Sequence, residues 1–324
     1  MPSPRAGHES QVVFLVVPHA HVLDLCGPVQ VFHEANAFGG RYRLRYCAAS
    51  RQVRTAQGLS LSRLEPPPEV GSGDLVLVPG LDSQRLAELQ APTSWLKGAR
   101  DAGARVGSIC TGAFALAQAG LLDGRRCTTH WKVADRLQRI CPRAHVLRDR
   151  LFVRDGPVIT SAGVASGIDM ALALVEEDLG PAAVAKICRE MVVYLRRNGQ
   201  SGQSSVYLDH RTHIHPGIHW VQDWLAGHPE SSAGVGDLAG VAGMSPRNLT
   251  RVFKRETGVT LTAYRQRLRM EVAGGLFDDP TMTVEGIASR CGYRDSRQLR
   301  RLWKIRLGTS PSEWRKREWR RSRA

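Results

Sequence analysis

Met244-Ser245-Pro246-Arg247-Asn248-Leu249-Thr250-Arg251-Val252-Phe253-Lys254 decides how the second half of this chain is read. Val235-Gly236-Asp237-Leu238-Ala239 opens a short helix that Gly243 stops. Ser245-Pro246 then starts another, with serine as N-cap and proline at the first helical position. Leu249, Val252 and Phe253 recur at three- and four-residue spacing and share one buried face. Arg247, Asn248, Thr250, Arg251 and Lys254 are left pointing outward. Arg247 and Arg251 lie one turn apart, the geometry of a helix that reaches into a major groove.

The plan repeats further on. Val284-Glu285-Gly286-Ile287-Ala288 forms a first helix, Cys291-Gly292-Tyr293 a turn, and Asp295-Ser296 the start of a second helix. Leu299, Leu302 and Trp303 face inward there, while Arg297, Gln298, Arg300, Arg301 and Lys304 face out. Two such helices on a rigid connector suit two successive major-groove faces of one duplex. The expected DNA-binding set is Arg247, Asn248, Thr250, Arg251 and Lys254 with Ser296, Arg297, Gln298, Arg301 and Lys304. The arginines are expected to read base edges and the lysines to hold phosphates. These residues and the later Gly308-Thr309-Ser310-Pro311-Ser312-Glu313-Trp314-Arg315 resemble the DNA-binding domain of AraC/XylS-type transcription regulators, over roughly residues 216–316. Leu261 stands where that family usually has proline, which is expected to soften a turn and leave the fold intact.

Charge and length agree with two domains. The chain has 324 residues and a net charge of +15, and residues 211–324 hold 21 Lys/Arg against 11 Asp/Glu. A basic end of this kind fits phosphate neutralisation. The seven cysteines are scattered without a CxxC pair, so neither a disulfide framework nor a zinc site is expected, and a reducing cytoplasm is. Met1 to Gln11 is polar and lacks the pattern of a signal peptide, and the longest apolar run, Val12 to Val17, is too short to span a bilayer. The chain is therefore expected to be soluble and cytoplasmic, without a membrane partner.

The first domain alternates strands and helices. Val12 to Pro18 is a β-branched run suited to a strand buried on both faces. A loop with His19, His21 and Asp24 precedes a helix opened by Gly27-Pro28. Tyr42–Ala48 is a strand, Val53–Leu61 a hairpin, and Asp74–Gly80 a buried strand. One helix is expected from Ser83 to Ala102, a strand over Arg105–Ile109, and a helix from Thr111 to Ala119. Helical text over Trp131–Ile140 is followed by short strands at Leu151–Val153 and Val158–Thr160. Helices Gly167–Leu179 and Pro181–Leu195 close the domain. The fold class is α/β, a flavodoxin-like parallel sheet with helices on both faces, followed by an all-α domain with two helix-turn-helix units. Residues 11–195 form the sheet domain, 196–215 a polar linker and 216–316 the DNA-binding domain. His210, His213 and His215 fall in the linker without a carboxylate or cysteine at ligand spacing, so no metal is assigned. Trp220, Val221, Trp224 and Leu225 are expected to bury one face of a helix beneath the DNA-binding units.

Gly107-Ser108-Ile109-Cys110-Thr111-Gly112 puts a cysteine at a sharp turn from strand to helix. A helix N-terminus there favours thiolate, so Cys110 is expected to react faster than Cys47, Cys141 or Cys188. With Ala119-Gly120-Leu121-Leu122-Asp123-Gly124, Thr128-Thr129-His130-Trp131 and Thr160-Ser161-Ala162-Gly163, the domain resembles the ThiJ/PfpI superfamily, related to class I glutamine amidotransferases. That resemblance makes Asp24 the acidic partner of Cys110, and the Asp24, Cys110, Thr111 set is most like that of isocyanide hydratase. Thr111 stands where the superfamily proteases have histidine, so peptidase chemistry is not expected. His130 is either a partner that approaches Cys110 through the fold or a wall of its pocket, and Cys26 is a candidate for the same pocket.

The whole chain resembles the GlxA-type branch of the AraC family, with Asn198 where that branch usually has proline at its domain junction. The resemblance implies a sequence-specific regulator that binds double-stranded promoter DNA, forms a homodimer, senses a small-molecule effector near Cys110 and meets RNA polymerase. No cofactor is implied. The alternative is an isocyanide hydratase-like enzyme that uses Cys110 with Asp24 and carries a DNA-binding tail.

Overall fold

The computed structural model of the chain describes residues 9–193, 199, 203, 206, 210–277 and 281–315. It divides into two compact units, Met1–Gln203 and Ser204–Ala324. In the first, β1 (Ser10–Leu15), β2 (Tyr42–Cys47), β5 (Leu75–Val78), β6 (Arg105–Ile109), β9 (Phe152–Asp155) and β10 (Val158–Ser161) form one sheet in the order β2-β1-β5-β6-β10-β9. Its strands run parallel except β9, which pairs antiparallel with β10. The hairpin β3 (Gln52–Arg54) and β4 (Ser60–Ser62) stands apart, as does the pair β7 (Arg126–Cys127) and β8 (His145–Val146).

The β-branched run explains why the sheet is covered twice. Val13 and Leu15 join Val76, Val78 and Val106 in a core with Leu96, Phe114 and Leu137. Those three come from α2 (Thr93–Asp101), α3 (Ala113–Gln118) and α4 (Ala134–Ile140). Val12 and Phe14, one pleat over, join Leu75, Leu77 and Ile109 against Phe32, Met170 and Ile187. These come from α1 (Val22–Ala37), α5 (Ala165–Leu179) and α6 (Pro181–Glu190).

Several boundaries differ from the sequence reading, for local reasons. The helix expected to open at Gly27-Pro28 begins at Val22, so Asp24 lies in its first turn and Pro28 inside it. The single helix over Ser83–Ala102 is two pieces, a 3₁₀ turn at Ser83–Glu88 and α2, parted by Pro92, which cannot donate to a helix interior. The helix expected to run from Pro181 to Leu195 ends at Glu190, where Met191 caps it and Val192 turns left-handed at φ 53°, while Asn198 and the basic tail beyond Arg315 lie outside the described residues.

The second unit comprises α7 (Pro216–Gly227), α8 (Val235–Ala242), α9 (Pro246–Thr257), α10 (Leu261–Leu276), α11 (Val284–Arg290) and α12 (Ser296–Leu307). Every reading helix starts on a side-chain cap. Ser245 accepts from Asn248 N and Asp295 from Gln298 N, and Gly243 ends α8 in the left-handed conformation. Leu249, Val252 and Phe253 are buried with Ile218, Leu238 and Tyr264. Leu299 and Trp303 are buried with Met270, Phe277 and Ile287, and Leu302 packs at the edge of that group. Helix α10 serves both cores: Leu261, Tyr264 and Leu268 enter the first, Met270 and Ala273 the second. Leu261 is its first residue and is buried, so a hydrophobe replaces proline without loss of the helix start.

The histidine stretch is not the solvated linker expected from sequence. His210 Nδ1 lies 2.9 Å from Thr257 O, and His213 packs edge-on against His219. Among the described residues no group of three candidate ligands is placed to hold a metal. In α7, Ile218, Val221 and Leu225 are buried, but Trp220 is turned to solvent.

Trp303 is 1% exposed, its ring 4.5 Å from that of Phe277 and 5.4 Å from that of Trp314. Trp303→Ala should cost about 3–5 kcal/mol. Denaturant unfolding of the full chain should show the loss in the transition of the second unit, with that of the sheet unit in place.

Candidate DNA interface and cysteine elbow

Burial sorts the faces of the two reading helices. On α9, Arg247, Thr250, Arg251 and Lys254 are exposed and Asn248 is half-buried. Arg247, Thr250, Arg251, Lys254 and Arg255 line one shallow depression. Arg251 Nη2 donates to Asn248 Oδ1 at 2.8 Å, so the asparagine holds the guanidinium in place. Thr250 Oγ1 donates to Pro246 O at 2.9 Å, which leaves the hydroxyl oxygen as an acceptor on the exposed face. Arg255 was missed in the sequence reading, although Arg247, Arg251 and Arg255 fall at successive four-residue steps. It pairs with Glu256 at 2.5 Å.

On α12, Arg297, Arg301 and Lys304 are exposed, while Ser296 and Gln298 are half-buried. Gln298 Oε1 accepts from Arg294 N at 3.1 Å, and Ser296 bonds Glu285. Arg300 reaches the same Glu285 at 3.0 Å. The structure thus brings Arg297, Arg301 and Lys304 together on an open face and turns Ser296 and Gln298 toward their own unit.

The elbow lies at the carboxyl edge of the sheet, where Asp24 follows β1, Gly80 follows β5, Cys110 follows β6 and Gly163 precedes α5. Open α/β sheets place ligands at such an edge. Cys110 has φ 54° and is 7% exposed. That left-handed conformation costs a non-glycine residue about 1–3 kcal/mol and persists because its surroundings dictate it. Three glycines make the room. A Cβ on Gly112 would stand 2.1 Å from Val78 O, one on Gly80 2.7 Å from Cys110 Cβ, and one on Gly163 2.9 Å from Cys110 Sγ. Thr129 Oγ1 donates to Cys110 O at 2.7 Å.

Asp24 is fully buried. Its Oδ1 accepts from Val164 N at 2.7 Å, and its Oδ2 sits against Gly80 and Cys110 without a well-formed hydrogen bond. Burial raises its pKa above the usual carboxylate range, opposed by the Val164 N–H. Burial also pushes the Cys110 thiol up to about 12, and the charge of Asp24 adds to the rise. The thiolate expected from sequence is therefore not what this environment favours, because desolvation outweighs the contribution of the short turn. Thr111 offers no free hydroxyl: its Oγ1 donates to Leu81 O at 2.6 Å and accepts from Leu81 N at 2.7 Å. His130 Nδ1 accepts from Lys132 N at 3.3 Å and its ring stacks on Trp131. From that loop it is Thr129 that bonds the elbow. Cys26, a candidate from sequence for the surroundings of Cys110, is exposed on α1.

The DJ-1/PfpI family model matches residues 10–177, and a helix-turn-helix domain model matches residues 238–317. The HTH-type transcriptional regulator CdhR of Pseudomonas aeruginosa is 30% identical over 306 residues, covering 93% of this chain and 90% of that protein. The regulator GbdR of the same organism is 27% identical over 314 residues, covering 96% and 85%. A ThiJ/PfpI family protein from Pseudomonas syringae shares the fold with a TM-score of 0.51 at 23% identity, covering 61% of this chain and 80% of that one. The chain belongs to the DJ-1/PfpI family, in the group that carries an AraC-type helix-turn-helix domain after the sheet. It is a transcription regulator of the GlxA type, and its whole-length relatives are named as regulators rather than enzymes. Among the described residues no helix is long and apolar enough to cross a membrane.

Alkylation at neutral pH should label Cys26 first and Cys110 slowly. Below its pKa of about 12, the Cys110 rate should climb about tenfold per pH unit as thiolate appears. Mass-spectrometric rates at several pH values read both. A Cys110 that labels ahead of Cys26 at pH 7 would show that its thiol is ionised after all.

Proposed function

We propose that α9 and α12 enter successive major grooves of one promoter duplex. Arg247, Arg251, Arg297 and Arg301 meet base edges there, and Lys254, Arg255 and Lys304 meet phosphates. The observation that supports this reading is the repeat of one arrangement at the two ends of α10: a capped helix with its hydrophobes buried and its arginines one turn apart and exposed. Sixteen residues of helix span about 24 Å, which suits neighbouring grooves of one face of DNA better than one groove read twice. In the cell the chain acts in the cytoplasm and meets RNA polymerase at the promoter.

The sheet unit, in the same proposal, forms the homodimer and holds a small effector at the carboxyl edge beside Cys110 and Asp24. A neutral thiol beside a carboxyl of raised pKa suits binding of a polar, uncharged or weakly basic molecule better than nucleophilic attack. Dimerisation pairs two DNA-binding units, so the preferred target is two half-sites rather than one.

Arg251→Ala, and separately Arg301→Ala, should weaken binding to the cognate site by about 1–3 kcal/mol and change binding to random DNA little. Equal losses on both DNAs, measured by fluorescence anisotropy, would reassign the face to phosphate contact. A fragment starting at Ser204, which keeps the second unit whole, should bind a two-half-site promoter more weakly than the full chain. Its binding should also be more sensitive to salt. Matching affinities would remove dimeric avidity from the account.

A further inference from the structure

Gln203 is the last residue of the first compact unit, and it is held by five hydrogen bonds. Its Nε2 donates to Thr129 O at 2.8 Å, to Arg148 O at 2.9 Å and to Thr128 Oγ1 at 3.2 Å. Its Oε1 accepts from Trp131 N at 2.8 Å, and its own N–H donates to Asp149 Oδ1 at 3.0 Å. We infer that the loops Thr128–Trp131 and Arg148–Asp149 form a carboxamide-binding notch, and that its occupant is Gln203, which docks the interdomain segment on the sheet unit.

The notch is selective by its own chemistry. Two carbonyl oxygens surround one end of the side chain, together with a hydroxyl that already donates to Leu147 O. A backbone N–H meets the other end. An amide fills both ends; a carboxylate would set an oxygen against two carbonyls and leave them without a donor. A second residue of the same segment makes an independent contact. Gly199 is buried with its backbone so close to Phe152 that a Cβ there would lie 2.6 Å from Phe152 O. Both described residues between 194 and 205 thus lie against the 147–152 segment or the loop beside it.

Docking fixes one end of the junction on the sheet unit. The first described residue of the second unit is Val206, which is buried and donates its N–H to Glu271 Oε2 at 2.9 Å. Releasing Gln203 lengthens the tether, and tether length sets the spacing of half-sites that paired DNA-binding units can reach. Thr129 carries both contacts: its hydroxyl holds Cys110 O and its carbonyl holds Gln203. A ligand that shifts the elbow shifts the notch. That relay rests on the effector reading above; the docking does not.

Residue-resolved hydrogen exchange on the full chain tests it, comparing wild type with Gln203→Ala and Gln203→Glu. Trp131 is 60% exposed and its N–H bond to Gln203 lies at the surface, so without Gln203 that amide is open to water. Trp131 N–H exchange should quicken about tenfold in both variants. The Thr128 N–H, bonded to Thr160 Oγ1 at 2.8 Å inside the unit, should not change and reports that the fold is intact. Unaltered Trp131 exchange in Gln203→Ala, or full protection retained in Gln203→Glu, overturns the notch. Binding to promoters of graded half-site spacing tests the relay: Gln203→Ala should broaden the spacings bound, and an unchanged preference overturns the relay alone. Affinity for a single half-site, equal in all three proteins, reports the reading helices separately.

Discussion

One helix divided between two hydrophobic cores is the constraint on which the DNA-binding half of this molecule depends. Leu261, Tyr264 and Leu268 of α10 are buried beneath α9, and Met270 and Ala273 lie beneath α12. Neither small core would hold its reading helix well alone, since few residues bury little apolar area. Sharing α10 lets each core support the other. The aromatic group of Phe277, Trp303 and Trp314 then closes the second core at its far end. The arginines outside inherit their orientation from these buried contacts.

The sheet unit works by a different balance. Its elbow keeps Cys110 in a conformation that only a crowded, glycine-lined setting sustains, and the same crowding takes water away from the thiol and from Asp24. The geometry of a reactive site is present, while burial and the charge of Asp24 favour the protonated sulfur. Thr111 is committed to Leu81 and His130 to its own turn, so backbone groups already engage both side chains.

Much of this was legible in the sequence. The run Val12–Val17 announced a strand covered on both faces because β-branched residues alternate into both cores. Ser245-Pro246 and Asp295-Ser296 announced helix starts because short polar side chains cap free N–H groups. Other features depend on contacts distant in the chain. The two-residue strands β7 and β8 are too short to show alternation. The ionisation of Cys110 depends on how closely Gly80, Gly163 and Asp24 enclose it, which no local spacing reveals. The histidines at 210–215 looked like linker by composition and are held to the second unit by partners such as Thr257. Ser296 and Gln298 lie on the face that periodicity assigned them, yet neighbours engage their side chains.

The length of α10 carries a further consequence. A helix advances about 100° per residue, so one residue added or removed between Tyr264 and Ala273 would swing the second reader by roughly a quarter of a circle about the axis. That shift would turn Arg297 and Arg301 away from their present direction, even with every side chain intact. Among descendants of this sequence, insertions and deletions should therefore be rare within α10.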